Sequence, residues 1–291
     1  IKRFSNVDIL ASSEDKNFSY IPKLDRHDFS TESAYAYIAS NNTIFGTQWQ
    51  SFPSLEVPLV ADMSSDILSR PLPINDFGLI FAGAQKNLGP AGVTMVIIRR
   101  DLLDRCSDQL PTMLNYNTHV DKESMYNTPP TFSIYVVGLV LEWLVQMGGL
   151  TRMESINREK AQLLYDAIDS SDFFYSPTDP DSRSMMNVVF RVTGDREDLE
   201  AEFVKLAKQE GLDGLKGHRS VGGLRASIYN AHPRKGVETL VEFMKVFSKR
   251  FSSLTELQKK EIQERLGIVS EPSVVYREKI VYREKNQKKK P

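Results

Sequence analysis

The sequence predicts an α/β protein: a mainly parallel sheet in the first half of the chain and a smaller α+β unit behind it. Three observations carry this. Four short apolar runs, Ala34–Ala39, Val57–Asp62, Gly78–Ala82 and Val93–Ile98, are rich in β-branched or aromatic residues and bounded by Gly, Pro, Asn or Ser. Strands buried on both faces read this way. Next, Pro129-Pro130 opens a long apolar segment that closes at Gly148-Gly149, the Pro-first, Gly-last order of a helix. Finally, helical and strand patterns alternate from Leu150 to Phe251.

Element by element, Leu150–Ser170 has helical spacing through Met153, Ile156, Ala161, Leu164 and Ile168, and Met185–Val192 reads as a strand. Asp195–Glu210 is a charged amphipathic helix and Leu224–Tyr229 a strand. Lys235–Phe251 is a helix with Val237, Leu240, Val241, Met244 and Phe247 on one face. The expected domains are therefore 1–147, a large α/β domain including the linking helix, and 148–251, a small α+β domain. Residues 252–291 form a charged peripheral tail, in which Val275-Tyr276-Arg277-Glu278-Lys279 recurs as Val281-Tyr282-Arg283-Glu284-Lys285.

The 291 residues are 41% hydrophobic and 26% charged, which places the chain with globular proteins rather than disordered or fibrous ones. Lys and Arg total 37 against 38 Asp and Glu, so there is no general attraction to nucleic acid or to an anionic membrane. A single cysteine, Cys106, rules out an internal disulfide framework and a CxxC site, and it fits a reducing, cytoplasmic setting. The polar start Ile1-Lys2-Arg3-Phe4-Ser5 is unlike a signal peptide. The apolar run Phe132–Met147 contains Glu142 and falls short of the ~20 residues of a membrane span, so a buried helix is expected there.

The segment Gly83-Ala84-Gln85-Lys86-Asn87-Leu88-Gly89-Pro90-Ala91-Gly92 follows a buried strand and surrounds one lysine with small residues. Small residues let backbone approach a ligand. A lysine among apolar and neutral groups loses part of its preference for the charged form and becomes a nucleophilic amine suited to a Schiff base. Solvation at a strand-to-loop junction is the competing reading. At the end of an earlier strand, Val60-Ala61-Asp62-Met63-Ser64-Ser65 places an acid where α/β sheets bind ligands. Alone, Asp62 would read as a cap or turn former. Beside the Lys86 loop it fits the acid that holds the pyridine nitrogen of pyridoxal phosphate (PLP) protonated.

Five segments now form a pattern: Asn42-Thr43-Ile44-x-Gly46; Ala61-Asp62-x-Ser64-Ser65-x-Ile67-Leu68-Ser69-Arg70-Pro71; Ala82-Gly83-Ala84-Gln85-Lys86-Asn87; Met125-Tyr126-Asn127-Thr128-Pro129-Pro130-Thr131; and Lys216-Gly217-His218-Arg219-x-Val221-Gly222-Gly223-x-Arg225-Ala226-Ser227. In this order they resemble the phosphoserine aminotransferase family, over residues 1 to 251. The resemblance implies a fold-type I PLP-dependent transferase that moves the amino group between glutamate and 3-phosphohydroxypyruvate, giving O-phosphoserine and 2-oxoglutarate. The setting is serine biosynthesis and, in some organisms, pyridoxine biosynthesis.

By that resemblance Lys86 is the Schiff-base lysine and proton shuttle, and Asp62 the partner of the pyridine nitrogen. Thr43 lies by the phenolic oxygen and Gln85 at the cofactor phosphate. Asn127 and Thr128 reach the phosphate of PLP in the neighbouring subunit of a homodimer. Arg225 takes the substrate carboxylate and His218-Arg219 its phosphate, roles that suit groups able to make charge-assisted and bidentate bonds. Without the flanking glycines and Arg225, His218-Arg219 would read as an exposed loop. His27, His119 and His232 lack any such context and read as surface or packing residues, and no spacing suggests a metal. Another small-molecule aminotransferase of this fold, a cysteine desulfurase, and a non-catalytic fragment are the rival readings; Cys106 has no desulfurase motif.

The chain departs from the family in one respect. The resemblance implies a preceding segment with a Gly-rich turn for the cofactor phosphate, an aromatic residue stacked on the ring and further arginines; these 291 residues lack it. A partial large domain with open sheet edges is the expectation.

Overall fold

In the computed structural model, residues 6–24 and 32–252 are described. His27 and the tail expected over 252–291, with its repeat, fall outside them, apart from Ser252. Nine strands and five α-helices run in chain order among the described residues.

The first region is a four-stranded sheet ordered β1-β4-β5-β6, built from β1 (Ala36–Ala39), β4 (Leu59–Asp62), β5 (Leu79–Gly83) and β6 (Thr94–Ile98). The first three strands are parallel, with Ala39 opposite Asp62 and Asp62 opposite Phe81, so their carboxyl ends gather at one edge. Strand β6 turns antiparallel on β5. All four match the apolar runs to within two residues at each end. Leu59, Ala61, Met63, Ile80, Ala82, Ala84 and Leu88 make the core beneath that edge. Between β1 and β4 lies a hairpin of β2 (Asn41–Asn42) and β3 (Thr47–Gln48), too short for any periodic signal in sequence.

A short α1 (Tyr116–Asp121), capped by Asn115 Oδ1 on Asn117 N, precedes α2 (Thr131–Gln146). Helix α2 starts after Pro129-Pro130 and breaks at Gly148 and Gly149, whose φ values of 100° and 74° let the chain bend by 83° into α3 (Gly149–Asp169). The expectation of a buried α2 is corrected here. Leu144 is its one buried residue, while Phe132 and Val145 are 76% exposed and Tyr135 62%. Apolar residues surround this helix on every side, so the stripe facing α3 and the Gly89–Ala91 loop cannot cover them all. No single helix among the described residues is long and apolar enough to cross a membrane.

The second region is an antiparallel sheet, β7 (Phe174–Tyr175), β8 (Asn187–Val192) and β9 (Leu224–Ser227), with α3, α4 (Glu197–Gln209) and α5 (Arg234–Ser252). Its core is closed. Phe190 and Phe203 are fully buried, and edge-on ring contacts at 5–6 Å chain Phe174, Phe190, Phe203, Phe243 and Phe247 together. Such pairs add roughly 0.5–1.5 kcal/mol each beyond their area. The predicted face of α5 is the buried one, from Val237 to Phe251. On α3 the buried face includes two polar residues that apolar spacing could not flag, Asn157 and Lys160.

Polar side chains stitch the two regions together. Asn41 Nδ2 donates to Asn187 Oδ1 at 2.9 Å, and Gln48 Oε1 accepts from Met185 N at 3.0 Å.

Candidate active site

The carboxyl edge of the parallel strands carries Asp62 at the end of β4 and the Gly83–Asn87 turn just after β5. Asp62 Oδ1 accepts from Ser64 N at 2.9 Å, so one carboxylate oxygen does form the turn. Ser64 Oγ in turn accepts from Gly83 N at 3.0 Å, which ties the two strand ends together. A Cβ at position 83 would lie 2.6 Å from Gln85 Oε1, so the glycine leaves room for the exposed Gln85 side chain to fold back.

Lys86 is half-buried. Burial is the largest influence on its amine and lowers its pKa from the usual 10.5; Asp62 and Asp66 push upward and Arg225 downward. Lys86 therefore shares one electrostatic site with Asp62 and Arg225, residues 24 before and 139 after it in the chain. Arg225, in β9, donates from Nη1 to Thr43 O at 2.9 Å, bringing Thr43 to the same place. Its Nε is buried without a partner. An unpartnered buried donor beside a depressed lysine is a fit for an anionic ligand carrying a carbonyl.

His218 and Arg219 lie on the loop that leads into β9. There Gly217 N donates to Gly223 O at 2.9 Å, and a Cβ at 217 would meet Gly222 O at 2.0 Å, so only glycine allows this close a return. His218 Nδ1 is 2.7 Å from Ser220 Oγ, and Arg219 occupies an exposed position. Asn127 and Thr128 are exposed at the entry to α2, bonded to each other at 3.3 Å, and share no hydrogen bond with the other site residues. The chain by itself therefore assembles Thr43, Asp62, Lys86 and Arg225, but not Asn127 and Thr128. No group of three His, Cys, Asp or Glu suited to a metal occurs among the described residues. His119 is half-buried, with Nε2 3.2 Å from Met113 O, while His232 is exposed; desolvation of its ring, and then the Lys160 charge, lower its pKa.

The sequence profile of class-V aminotransferases matches residues 1–240. The chain belongs to that family. Among class-V aminotransferases it is 57% identical over 245 residues to the phosphoserine aminotransferase of Desulfosudis oleivorans, covering 84% of this chain and 67% of that protein. With the phosphoserine aminotransferase of Geobacillus kaustophilus it shares 56% over 245 residues, again 84% of this chain and 68% of that protein. The solved phosphoserine aminotransferase of Bacillus circulans subsp. alkalophilus superposes with a TM-score of 0.82 at 52% identity, covering 86% of this chain and 69% of that one. A PLP-bound phosphoserine aminotransferase from Trichomonas vaginalis gives a TM-score of 0.74 at 43% identity, over 79% of this chain and 65% of that one. The α/β fold is thus that of the PLP-dependent aminotransferases.

Several residues at the site carry no signal that singles them out in sequence. Buried Asp66 accepts from Ser40 Oγ and from Gln48 Nε2, and burial raises its pKa despite those bonds and the nearby Arg70. Three asparagines, Asn87, Asn157 and Asn230, meet beneath the Lys86 loop. In sequence Asn87 and Asn230 read as turn formers and Asn157 as a solvated position of the Leu150–Ser170 helix.

Proposed function

We propose that this class-V aminotransferase acts as a phosphoserine aminotransferase, with glutamate and 3-phosphohydroxypyruvate as amino donor and acceptor and PLP as cofactor. The observation that carries the proposal is the convergence of Lys86, Asp62 and Arg225 at the strand ends, together with the identity to phosphoserine aminotransferases. Lys86, Asp62, Thr43 and Gln85 would hold the cofactor. When bound, its protonated ring supplies an electron sink for the substrate α-carbon.

The roles of the chain's own residues follow from their chemistry. Desolvation keeps more of the Lys86 amine neutral at a given pH, so Nζ is available as nucleophile and as the base that removes and returns the α-proton. Asp62 supplies the negative charge facing a protonated nitrogen. Arg225, with Nε unpartnered, binds the substrate carboxylate. His218 and Arg219 bind the substrate phosphate, the feature that separates this substrate from those of other small-molecule aminotransferases. Asn127 and Thr128, exposed and apart from the other groups, serve the neighbouring subunit's site in a homodimer. We place the boundary between large and small domains at 147/148, and the protein in the cytoplasm on the strength of its single cysteine.

Purified chain mixed with PLP is expected to show an absorbance band for lysine-bound cofactor and to form 2-oxoglutarate beyond one equivalent per bound cofactor only when both glutamate and 3-phosphohydroxypyruvate are present. Both signals should vanish in Lys86→Ala. A folded chain that binds no PLP would overturn the proposal in favour of the non-catalytic reading.

A further inference from the structure

Among the described residues Lys160 is one of the large side chains that are fully buried, and it has no carboxylate within ion-pair distance. Its Nζ donates to four backbone carbonyls of one turn: Ile228 at 3.1 Å, Tyr229 at 2.8 Å, Asn230 at 3.5 Å and His232 at 3.1 Å. Burying an ammonium is costly unless its protons are taken up. Burial alone pushes its pKa down to about 8, and the ring of carbonyls works in the other direction by stabilising the charged form. An apolar residue would fill this space without that cost. The charge therefore acts locally, gathering carbonyls that would otherwise repel each other and fixing the turn after β9.

The turn it fixes leads to Lys86. Asn230 N donates to Asn87 Oδ1 at 3.0 Å, and Asn87 follows Lys86 directly. Three side-chain amides then take three successive carbonyls of the turn that follows Asp62. Asn87 Nδ2 binds Ile67 O at 3.0 Å, Asn230 Nδ2 binds Leu68 O at 2.9 Å and Asn157 Nδ2 binds Ser69 O at 3.0 Å. Leu68 sits at a φ of 62°, a left-handed conformation that a branched side chain adopts only when its surroundings hold it there. Asn157 also donates to Asn230 Oδ1 at 2.8 Å, and it lies one turn before Lys160 on α3.

We propose that Lys160 is a positioning residue for the reacting amine: its ammonium closes the 228–232 turn, and the Asn87–Asn157–Asn230 clamp carries that closure to the loops bearing Lys86 and Asp62. The chain of contacts runs from α3 through the end of β9, the strand of Arg225, to the edge of the parallel sheet. It sets where the amine stands relative to the groups it works with, without Lys160 touching substrate or cofactor.

The inference rests on Lys86 being the reacting amine, and its test keeps the two apart. Competitive labelling of the cofactor-free 291-residue chain with acetic anhydride, read peptide by peptide, follows the neutral fraction of the Lys86 amine against pH. In Lys160→Met the loosened loop should admit water, moving the midpoint toward the ordinary lysine value and slowing Lys86 labelling at about pH 8 threefold or more. Asn157→Ala changes no charge, so a smaller shift in the same direction there reports position rather than lost electrostatics. A reduced melting temperature with an unmoved Lys86 midpoint in either folded variant would overturn the proposal; if Lys160→Met fails to fold, Asn157→Ala decides by the same criterion. If Lys86→Ala keeps the band of lysine-bound cofactor, the assignment of Lys86 fails instead, independently of the labelling result.

Discussion

Helices α2 and α5 show how differently the two regions of this chain use apolar residues. On α5, Val237, Leu240, Met244, Phe247 and Phe251 lie along one stripe and all are buried, while the other positions are mainly charged or polar, with Val246 the large apolar side chain left exposed. On α2 the apolar residues run all the way round and only Leu144 is buried. A stripe states which side is to be covered; an apolar circumference states only that cover is needed. The same contrast holds for the regions themselves. The second closes its own aromatic core, whereas the first presents half-buried reactive groups and apolar surface of the kind that marks contact with other protein. Function should therefore be sensitive in the first region and stability in the second.

The sharpest test of that division is Lys86→Ala. It removes a half-buried amine without emptying a core site, so transamination should fall by roughly 10³-fold or more while the denaturant midpoint barely moves. Near-normal turnover, measured in a coupled assay, would break the assignment of chemistry to the first region. Phe203→Ala is its converse. The ring is fully buried against four others, and its loss should cost about 3–5 kcal/mol in urea unfolding, with the electrostatic environment of Lys86 unchanged.

Asp62→Asn should come next in size. A nearby opposite charge is worth about 1–3 pH units in a proton equilibrium, so both half-reactions should slow roughly 10- to 10³-fold, with glutamate and with phosphoserine as donors alike. Equal rates would remove Asp62 from the site. On α2, Val145→Gln should change unfolding free energy by less than about 0.5 kcal/mol because the side chain is 76% exposed, yet lower self-association in sedimentation. A large loss of stability would mean that α2 is packed after all.

The smallest effect concerns pH. The folded chain releases the Lys86 proton at a lower pH than the unfolded chain, whose lysine titrates near the usual 10.5. Between the folded value and 10.5 the unfolded state binds more protons, so this residue's contribution to stability rises with pH across that window. Urea midpoints of the parent and Lys86→Met should accordingly diverge as pH increases, with the parent gaining. Parallel curves would mean that the amine is as solvated as an ordinary surface lysine.

The sequence by itself determined where the strands of the first sheet lie, because short apolar runs bounded by turn residues mark them, and the helix boundaries at Pro129-Pro130 and Gly148-Gly149; the expectation of burial on both faces is corrected, since β1 and β4 are fully covered on one face only and β6 is largely uncovered. It also singled out Lys86 and Asp62, since a lysine set among small residues and an acid at a strand end are unusual choices. Tertiary structure alone decided the rest. The β2–β3 hairpin and β7 have two residues per strand and lean on long-range partners, Asn187 for β2 and strand β8 for β7. Lys160, between Glu159 and Ala161, and Asn157 look in sequence like ordinary solvated polar positions of the Leu150–Ser170 helix, and Asn87 and Asn230 like turn formers. Their meaning depends on which carbonyls meet them, and those carbonyls come from residues about 20 to 160 positions away in the chain. The exposure of α2 was hidden for the same reason: residue type records the preference to be covered, and only the packed chain shows whether a cover has been found.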